Sequence, residues 1–368
     1  MSTSVAGVVE AIHAAFPPEW AELWDRVGLI AGDPDAPVSR VLVSLDPTRD
    51  ALKRARQAGA QVLVTHHPPF LEPPAHLTPA AAGVSFPALS AGIALVAAHT
   101  NLDRAPDGAA ALPRVLGLDP GRPLEDALLP MSLVTVFVPS SHERAVADAM
   151  ARAGAGRIGD YRGCSFATPG TGTFTPSGET APYTGVVESM SSAEESRLEM
   201  VAPRQLAGAA VSAARENHPY EEPLITVAEV TIARGDARMG RVCELPEPVS
   251  LAAFVSRVSD LFGVTPRIWG SEDVTVATVA TATGSAGSLV PAALRAGVDV
   301  LVAGEVRYHD AQAAAAAGLC IVEIGHDVSE WPLVPVLAEA VALAPGLDAG
   351  SVLVDPPVVG WWTPQRSD

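Results

Sequence analysis

Short, unbroken apolar runs recur along the chain, and each is bounded by turn residues or by a helical pattern. Residues 41–45, 62–65, 93–97, 300–303 and 321–324 are four or five residues long and consist mostly of Val, Ile, Leu and Ala. Runs of that length without alternation suit strands buried on both faces of a parallel sheet. Between and around them lie predicted helices at 5–16, stopped by Pro17-Pro18, at 50–58, stopped by Gly59, and at 251–262, 289–296 and 331–344. A further strand is expected at 274–281. Strand, helix and strand in succession form β-α-β units, so the class is α/β with a parallel sheet.

The pattern changes near residue 125. A strand at 133–138 and a helix at 143–153 precede a Gly-, Thr- and Pro-rich stretch from Cys164 to Phe174, which continues to Tyr183-Thr184-Gly185. That stretch has too few aliphatic residues for a core and too much turn chemistry for a helix. Strands at 197–201 and 224–230 flank a helix at 205–216. The segment therefore reads as a ferredoxin-like α+β module at 126–234, inserted into a discontinuous α/β domain made of 1–125 plus 235–368. Residues 58–67 (Ala-Gly-Ala-Gln-Val-Leu-Val-Thr-His-His) parallel residues 296–305 (Ala-Gly-Val-Asp-Val-Leu-Val-Ala-Gly-Glu) at an offset of 238. Residues 92–99 resemble 318–325 at an offset of 226. These echoes predict two related α/β halves in a three-layer domain, with any site where the halves meet.

Length and composition narrow the function classes. At 368 residues and 48% hydrophobic content the chain can bury a large core. The 24 basic and 42 acidic residues leave a formal charge of −18, which repels nucleic acid over most of the surface. Cys164, Cys243 and Cys320 are odd in number and widely spaced, and so favour a reducing compartment. The first 16 residues lack a cationic region and carry Glu10 and His13, unlike a signal peptide. No run approaches the roughly 18 apolar residues of a membrane span. A cytoplasmic location with no membrane or nucleic-acid partner is expected.

Polar residues collect at the carboxyl ends of the apolar runs: His66-His67, His99 with Asp103, Glu305 with Tyr308 and His309, and His326 with Glu330. Open α/β sheets place their ligands at such ends. Two adjacent imidazoles diverge, so His66 and His67 either serve two ions side by side or cap the strand by bonding to loop backbone. His326 and Glu330 share one face if a helix starts there. Imidazole with carboxylate suits zinc, iron, manganese, cobalt or nickel better than hard oxygen-only ions. His13, His76, His142 and His218 read as surface or loop histidines.

Trp24-Asp25-Arg26-Val27-Gly28-Leu29, Thr65-His66-His67-Pro68, His99-Thr100-Asn101-Leu102-Asp103, Gly304-Glu305-Val306-Arg307-Tyr308-His309-Asp310, and Gly325-His326 through Ser329-Glu330 occur in this order. In these motifs the chain resembles the GTP cyclohydrolase 1 type 2 homologues, toroidal hexamers with a dinuclear metal centre. The insert resembles that of the family's longer members in Gly163-Cys164-Ser165-Phe166, Gly170-Thr171-Gly172-Thr173-Phe174 and Asn217-His218-Pro219-Tyr220-Glu221-Glu222-Pro223, and is similar to trimeric signalling proteins. Arg26 and Pro69 depart from the family pattern. The resemblance implies two divalent transition-metal ions held by His66, His67, Asp103, His326 and Glu330, with the two carboxylates as bridges. It implies His99 and His309 as pocket residues and Glu305 as a general base or an outer anchor. It further implies a homohexamer and hydrolysis of a nucleotide or related heterocycle. A metal-binding regulatory scaffold whose insert senses a small molecule or partner, and a phosphoesterase, are the competing readings.

Overall fold

The computed structural model describes residues 3–159, 161–233 and 235–357. It divides into two compact units, residues 1–126 with 236–368 and residues 127–235. The last eleven residues assigned above to the outer domain, 358–368, lie outside the described residues.

The first half of the outer unit comprises α1 (Val5–Ala15), β1 (Gly28–Ala31), β2 (Val41–Ser44), α2 (Arg49–Ala58), β3 (Val62–Thr65), α3 (Ser85–Ser90), β4 (Ala94–Ala97) and the short α4 (Thr100–Arg104). Every residue of β2, β3 and β4 is buried, as the unbroken apolar runs require. The three strands are parallel, with Val41, Val62 and Ala94 in register, and β1 adds antiparallel beside β4.

The chain then forms β5 (Arg122–Pro123) and enters the insert. There it makes β6 (Leu128–Pro139), α5 (Glu143–Arg152), β7 (Phe166–Phe174), β8 (Ser191–Pro203), α6 (Ala207–Glu216) and β9 (Ile225–Ala233). The βαββαβ sequence with antiparallel order β9-β6-β8-β7 is the ferredoxin-like arrangement. Val134, Val136, Leu198 and Met200 bury one sheet face against Val146 and Met150 of α5 and Ala210 and Ala214 of α6. The Gly/Thr-rich stretch, which the sequence assigns to neither a core element nor a helix, is the edge strand β7, exposed along most of its length. An edge strand needs backbone partners on one side only, so it can dispense with core side chains. His218 is another correction. It is buried, its Nε2 lies 2.9 Å from the Phe137 carbonyl, and its Nδ1 accepts from Tyr220 N–H at 3.0 Å.

The second half follows: β10 (Arg241–Ser250), α7 (Leu251–Phe262), β11 (Arg267–Trp269), β12 (Thr275–Ser285), α8 (Val290–Ala296), β13 (Val300–Glu305), α9 (Tyr308–Ala316), β14 (Cys320–Glu323), α10 (His326–Glu330), α11 (Leu333–Ala342) and β15 (Val352–Val354). Its sheet runs β11-β14-β13-β12-β10-β5, whereas the first sheet runs β15-β2-β3-β4-β1. The two halves match in their three central parallel strands and in the antiparallel strand beside the third. Val279, Val300 and Cys320 are in register across β12, β13 and β14, and they stand 238, 238 and 226 residues after Val41, Val62 and Ala94. One polar device repeats too. The Gln61 side chain accepts the N–H groups of Ser39 and Arg40, and Asp299 accepts those of Ala277 and Thr278, all at the offset of 238.

Each half is a helix–sheet–helix sandwich of its own. Leu42, Leu63 and Leu95 pack against α2 and α3, while Val43, Val62 and Val64 pack against α1 and α11. In the second half, Ala280, Leu301 and Ile321 face α8 and α9, while Val300 and Val302 face α7. A fully buried Val or Leu contributes about 1.5–3 kcal/mol, which holds the strand ends in fixed places.

Candidate metal centre

The carboxyl ends of β3, β4 and β13 converge with the helices α4 and α10. His66 and His67 end β3, His99 follows β4, Asp103 lies on α4, Glu305 closes β13, and His326 and Glu330 begin and end α10. His66, Asp103 and Glu330 form one cluster whose donor atoms lie within 4.8 Å of one another. His67, His326 and Glu330 form a second, and His66, His67 and His99 a third. Each cluster could hold a metal ion. Glu330 is common to two of them, whereas Asp103 joins one and gives its other oxygen to the Thr283 hydroxyl at 2.8 Å.

The four imidazoles share one orientation. Nδ1 of His66 meets the Ala98 carbonyl at 2.9 Å, that of His67 meets Asp46 at 2.8 Å, that of His99 meets Asp25 at 2.8 Å, and that of His326 meets Glu305 at 3.1 Å. Each ring thus has an acceptor behind it, so Nδ1 carries the proton and Nε2 is turned inward as a free donor atom. Inside, His67 Nε2 and His326 Nε2 both lie 3.1 Å from Glu330 oxygens, and His66 Nε2 lies 3.7 Å from Glu330 and 3.8 Å from Asp103.

Two atoms at the centre, His66 Nε2 and Glu330 Oε2, are buried without a hydrogen-bond partner. Glu330 Oε2 is close to His67 Nε2, but proximity does not give it an aligned bond. Orphaned buried nitrogen and oxygen atoms are costly unless something ligates them, so this donor set fits a cation.

Electrostatics lead the same way. Burial opposes charge on His67, yet its bond to Asp46 and the nearby Glu330 carboxylate raise it to about 10. The Glu330 contact, set against burial, raises His326 to about 9. Burial lowers His66, but Asp103 and Glu330 outweigh it and the net shift is upward. Glu330 itself is buried, which favours its neutral form, but the three imidazoles hold it well below the ordinary carboxylate range. Without a metal, protons occupy the positions where positive charge is favoured.

Several supporting residues were not singled out from the sequence. Asp46 anchors His67, Thr283 anchors Asp103, and Ser329 donates no ligand but ties α10 to β12 by accepting from Gly284 N–H at 2.9 Å. Asp25 stood only within a motif. Its buried carboxylate accepts from His99 and from Thr100 N–H at 2.9 Å, and these bonds outweigh burial and lower it to about 2. The signal for Asp46 was its place just past an apolar run, like the histidines. His309 is exposed, packs edge-on against Tyr308, and joins none of the clusters among the described residues. Arg26 donates to the Leu71 carbonyl at 3.1 Å, joining its loop to the one that carries Pro69. Trp24 is exposed at 53% and meets the His99 ring edge-on at 5.9 Å. No helix among the described residues is long and apolar enough to cross a membrane.

The sequence profile of the family described as Duf34/NIF3 (NGG1p interacting factor 3) matches residues 3–350. Curated relatives include a Mycobacterium leprae protein named GTP cyclohydrolase 1 type 2 homolog, 36% identical over 90% of this chain and 88% of its own length. A Bacillus subtilis protein of the same name is 32% identical over 89% of each chain. Among solved structures, a Bacillus cereus protein related to NIF3 aligns over 96% of this chain and 97% of its own, at 31% identity and a TM-score of 0.62. A Staphylococcus aureus protein shares the fold over 99% of both chains, at 22% identity and a TM-score of 0.65.

Proposed function

This chain belongs to the Duf34/NIF3 family, and on that premise we propose that it is a dinuclear metal-dependent hydrolase acting on a nucleotide or related heterocycle. The observation that carries the reading is the shared orientation of four imidazoles, each bonded outward at Nδ1, with the Nε2 atoms of His66, His67 and His326 gathered around the buried Glu330 and that of His66 also facing the half-buried Asp103. In this reading His66, Asp103 and Glu330 hold one ion and His67, His326 and Glu330 the other, with Glu330 shared. Zinc, iron, manganese, cobalt and nickel all suit such donors. Bound there, two such ions would supply Lewis acidity toward a ring carbon or phosphoryl group and would lower the pKa of water.

The chain's own residues do the rest. His99 takes or returns a proton at Nε2, and Asp25 fixes its tautomer from behind. Glu305, bonded to the far nitrogen of His326, acts as a positioning residue, so proton transfer is assigned to His99. Trp24, exposed beside His99, offers a stacking face for a planar base, which supports a heterocyclic substrate. The names of the relatives point to GTP as the first substrate to try. The homohexamer implied by the sequence motifs belongs to the same proposal, and light scattering of the purified protein tests it.

The deciding experiment is elemental analysis of the purified protein beside a His67→Ala, Glu330→Ala double variant, followed by a GTP ring-opening assay. Two transition-metal equivalents per chain, lost in the variant, together with metal-dependent ring opening, are the expected result. A metal-free protein that resists reconstitution overturns the reading. Bound metal with unchanged GTP favours the regulatory scaffold, and phosphate release without ring opening favours the phosphoesterase.

A further inference from the structure

The insert contains a cavity of about 630 Å³, within the size range of small-molecule sites. All its lining residues come from the insert itself, chiefly the edge strand from Thr168 to Phe174 and residues of the segments 180–184 and 220–224, with Phe137, Glu195 and Arg197 of the sheet. Neither the metal centre nor the hydrolytic reading accounts for it.

Aromatic rings form one corner. Tyr220 lies between Phe174 and Tyr183, with ring centroids 6.3 and 6.1 Å away. Tyr220 is held from three sides. Its N–H donates to His218 Nδ1, its ring meets the His218 ring edge-on at 4.9 Å, and its hydroxyl donates to Glu195 Oε1 at 2.8 Å. His218 is fixed in turn on the Phe137 carbonyl. The corner is therefore organised before any ligand arrives.

The charge around it is mostly negative. Glu195, Glu221 and Glu222 line the cavity against a single cation, Arg197. The Arg197 guanidinium is engaged by Glu199 at 2.7 Å. Arg215 sits 3.3 Å from Glu222, which leaves Glu195 and Glu221 without a basic partner among the described residues. A phosphate or other anion would meet carboxylates and no free base, while a cation would meet electron-rich ring faces and a carboxylate together.

We propose that this cavity is a binding site for a small organic cation, an ammonium compound seated against Phe174, Tyr183 and Tyr220 with Glu195 as its counter-ion. Ring faces and carboxylate act jointly, so the site prefers a cationic head to a neutral one of the same shape.

The test titrates the full-length protein by calorimetry with choline and with its neutral isostere 3,3-dimethylbutan-1-ol. ATP serves as the anionic control. Choline is expected to bind at least about tenfold tighter than the isostere, and ATP not at the cavity. Glu195→Gln should remove most of that preference, and Tyr183→Leu should weaken choline by a few-fold, while both variants keep wild-type metal content and melting temperature. The wild-type comparison needs no variant, so a misfolded substitution cannot rescue the idea. Equal binding of choline and isostere, tighter binding of ATP that competes with choline, or no choline binding below about 10 mM overturns it.

Discussion

The two halves of the outer unit share a frame and put it to opposite uses. At the offset of 238, Asp46, His66 and His67 of the first half correspond to Gly284, Gly304 and Glu305 of the second. The first half fills these strand-end positions with an imidazole pair and the carboxylate that orients His67. The second half empties two of them. A Cβ on Gly284, whose φ is +58°, would fall 2.2 Å from Glu330 Oε1, and one on Gly304 would fall 2.5 Å from the Gly284 carbonyl and 2.6 Å from Ser329 Oγ. One half presents donors on rigid strands. The other makes room for α10 to bring its own donors across.

This asymmetry can be broken in graded steps. Glu330→Ala removes the carboxylate common to two of the three clusters, and under the proposed two-ion reading metal content should fall to near none by elemental analysis. Gly284→Ala should come next, because the new methyl group meets Glu330 at a backbone conformation that L side chains rarely adopt. Loss of about 1–3 kcal/mol of stability and a marked drop in metal affinity are expected in thermal melts and metal titrations. A variant that binds metal normally would show that α10 can shift without cost.

Asp46→Asn and Asp25→Asn leave all ligands in place but weaken the acceptor behind a ring. Each should cost about 10–100-fold in metal affinity or activity, with Asp25→Asn acting on turnover more than on metal content.

The smallest effect concerns protons. In the metal-free protein His67 and His326 are raised to about 10 and about 9. Because folding raises these values, their stabilising contribution is complete below the unfolded imidazole value of about 6.5 and is lost as pH rises through 9 to 10. Metal binding reverses the trend, since ligating imidazoles must be neutral. Affinity should climb with pH up to that range, with about two protons released per chain near neutrality. Calorimetry in buffers of different ionisation enthalpy measures that release, and zero release would contradict the charged imidazole network.

The parts legible in the sequence were those whose cause is local. The strands β2, β3, β4, β13 and β14 are buried along nearly their whole length, so three or four apolar residues in a row announce them. Strands at or next to a sheet edge are silent for the opposite reason. β10 carries Pro246 and Pro248 and breaks its register between Glu244 and Val249, and β7 contains Pro169, Gly170 and Gly172. The convergence of His66, His67, Asp103, His326 and Glu330 could be anticipated because strand ends of parallel sheets share one edge. What could not be anticipated was which carboxylate backs which ring. Asp25 and His99 are 74 residues apart, and only the packed structure brings them to 2.8 Å. The burial of His218, read from the sequence as a surface or loop histidine, was not legible because its partner is a backbone carbonyl 81 residues away.

The insert leaves and rejoins the outer unit through neighbouring strands. Arg122 and Pro123 pair with Val242 and Arg241, and Leu124 and Glu125 donate to the carbonyls of Gly240 and Met239 at 3.1 and 3.0 Å. The two severed ends of the host are therefore already joined by a ladder, as though a hairpin had been opened at its tip. Such a place works as a socket: a gene that closes it with a short turn, or plugs in another module, asks no other part of the host to move. A version of this chain with a Gly-containing turn between Glu125 and Met239 should fold with the same melting behaviour of the outer unit, and the same position is where a natural lineage could gain or shed a module without rebuilding the host.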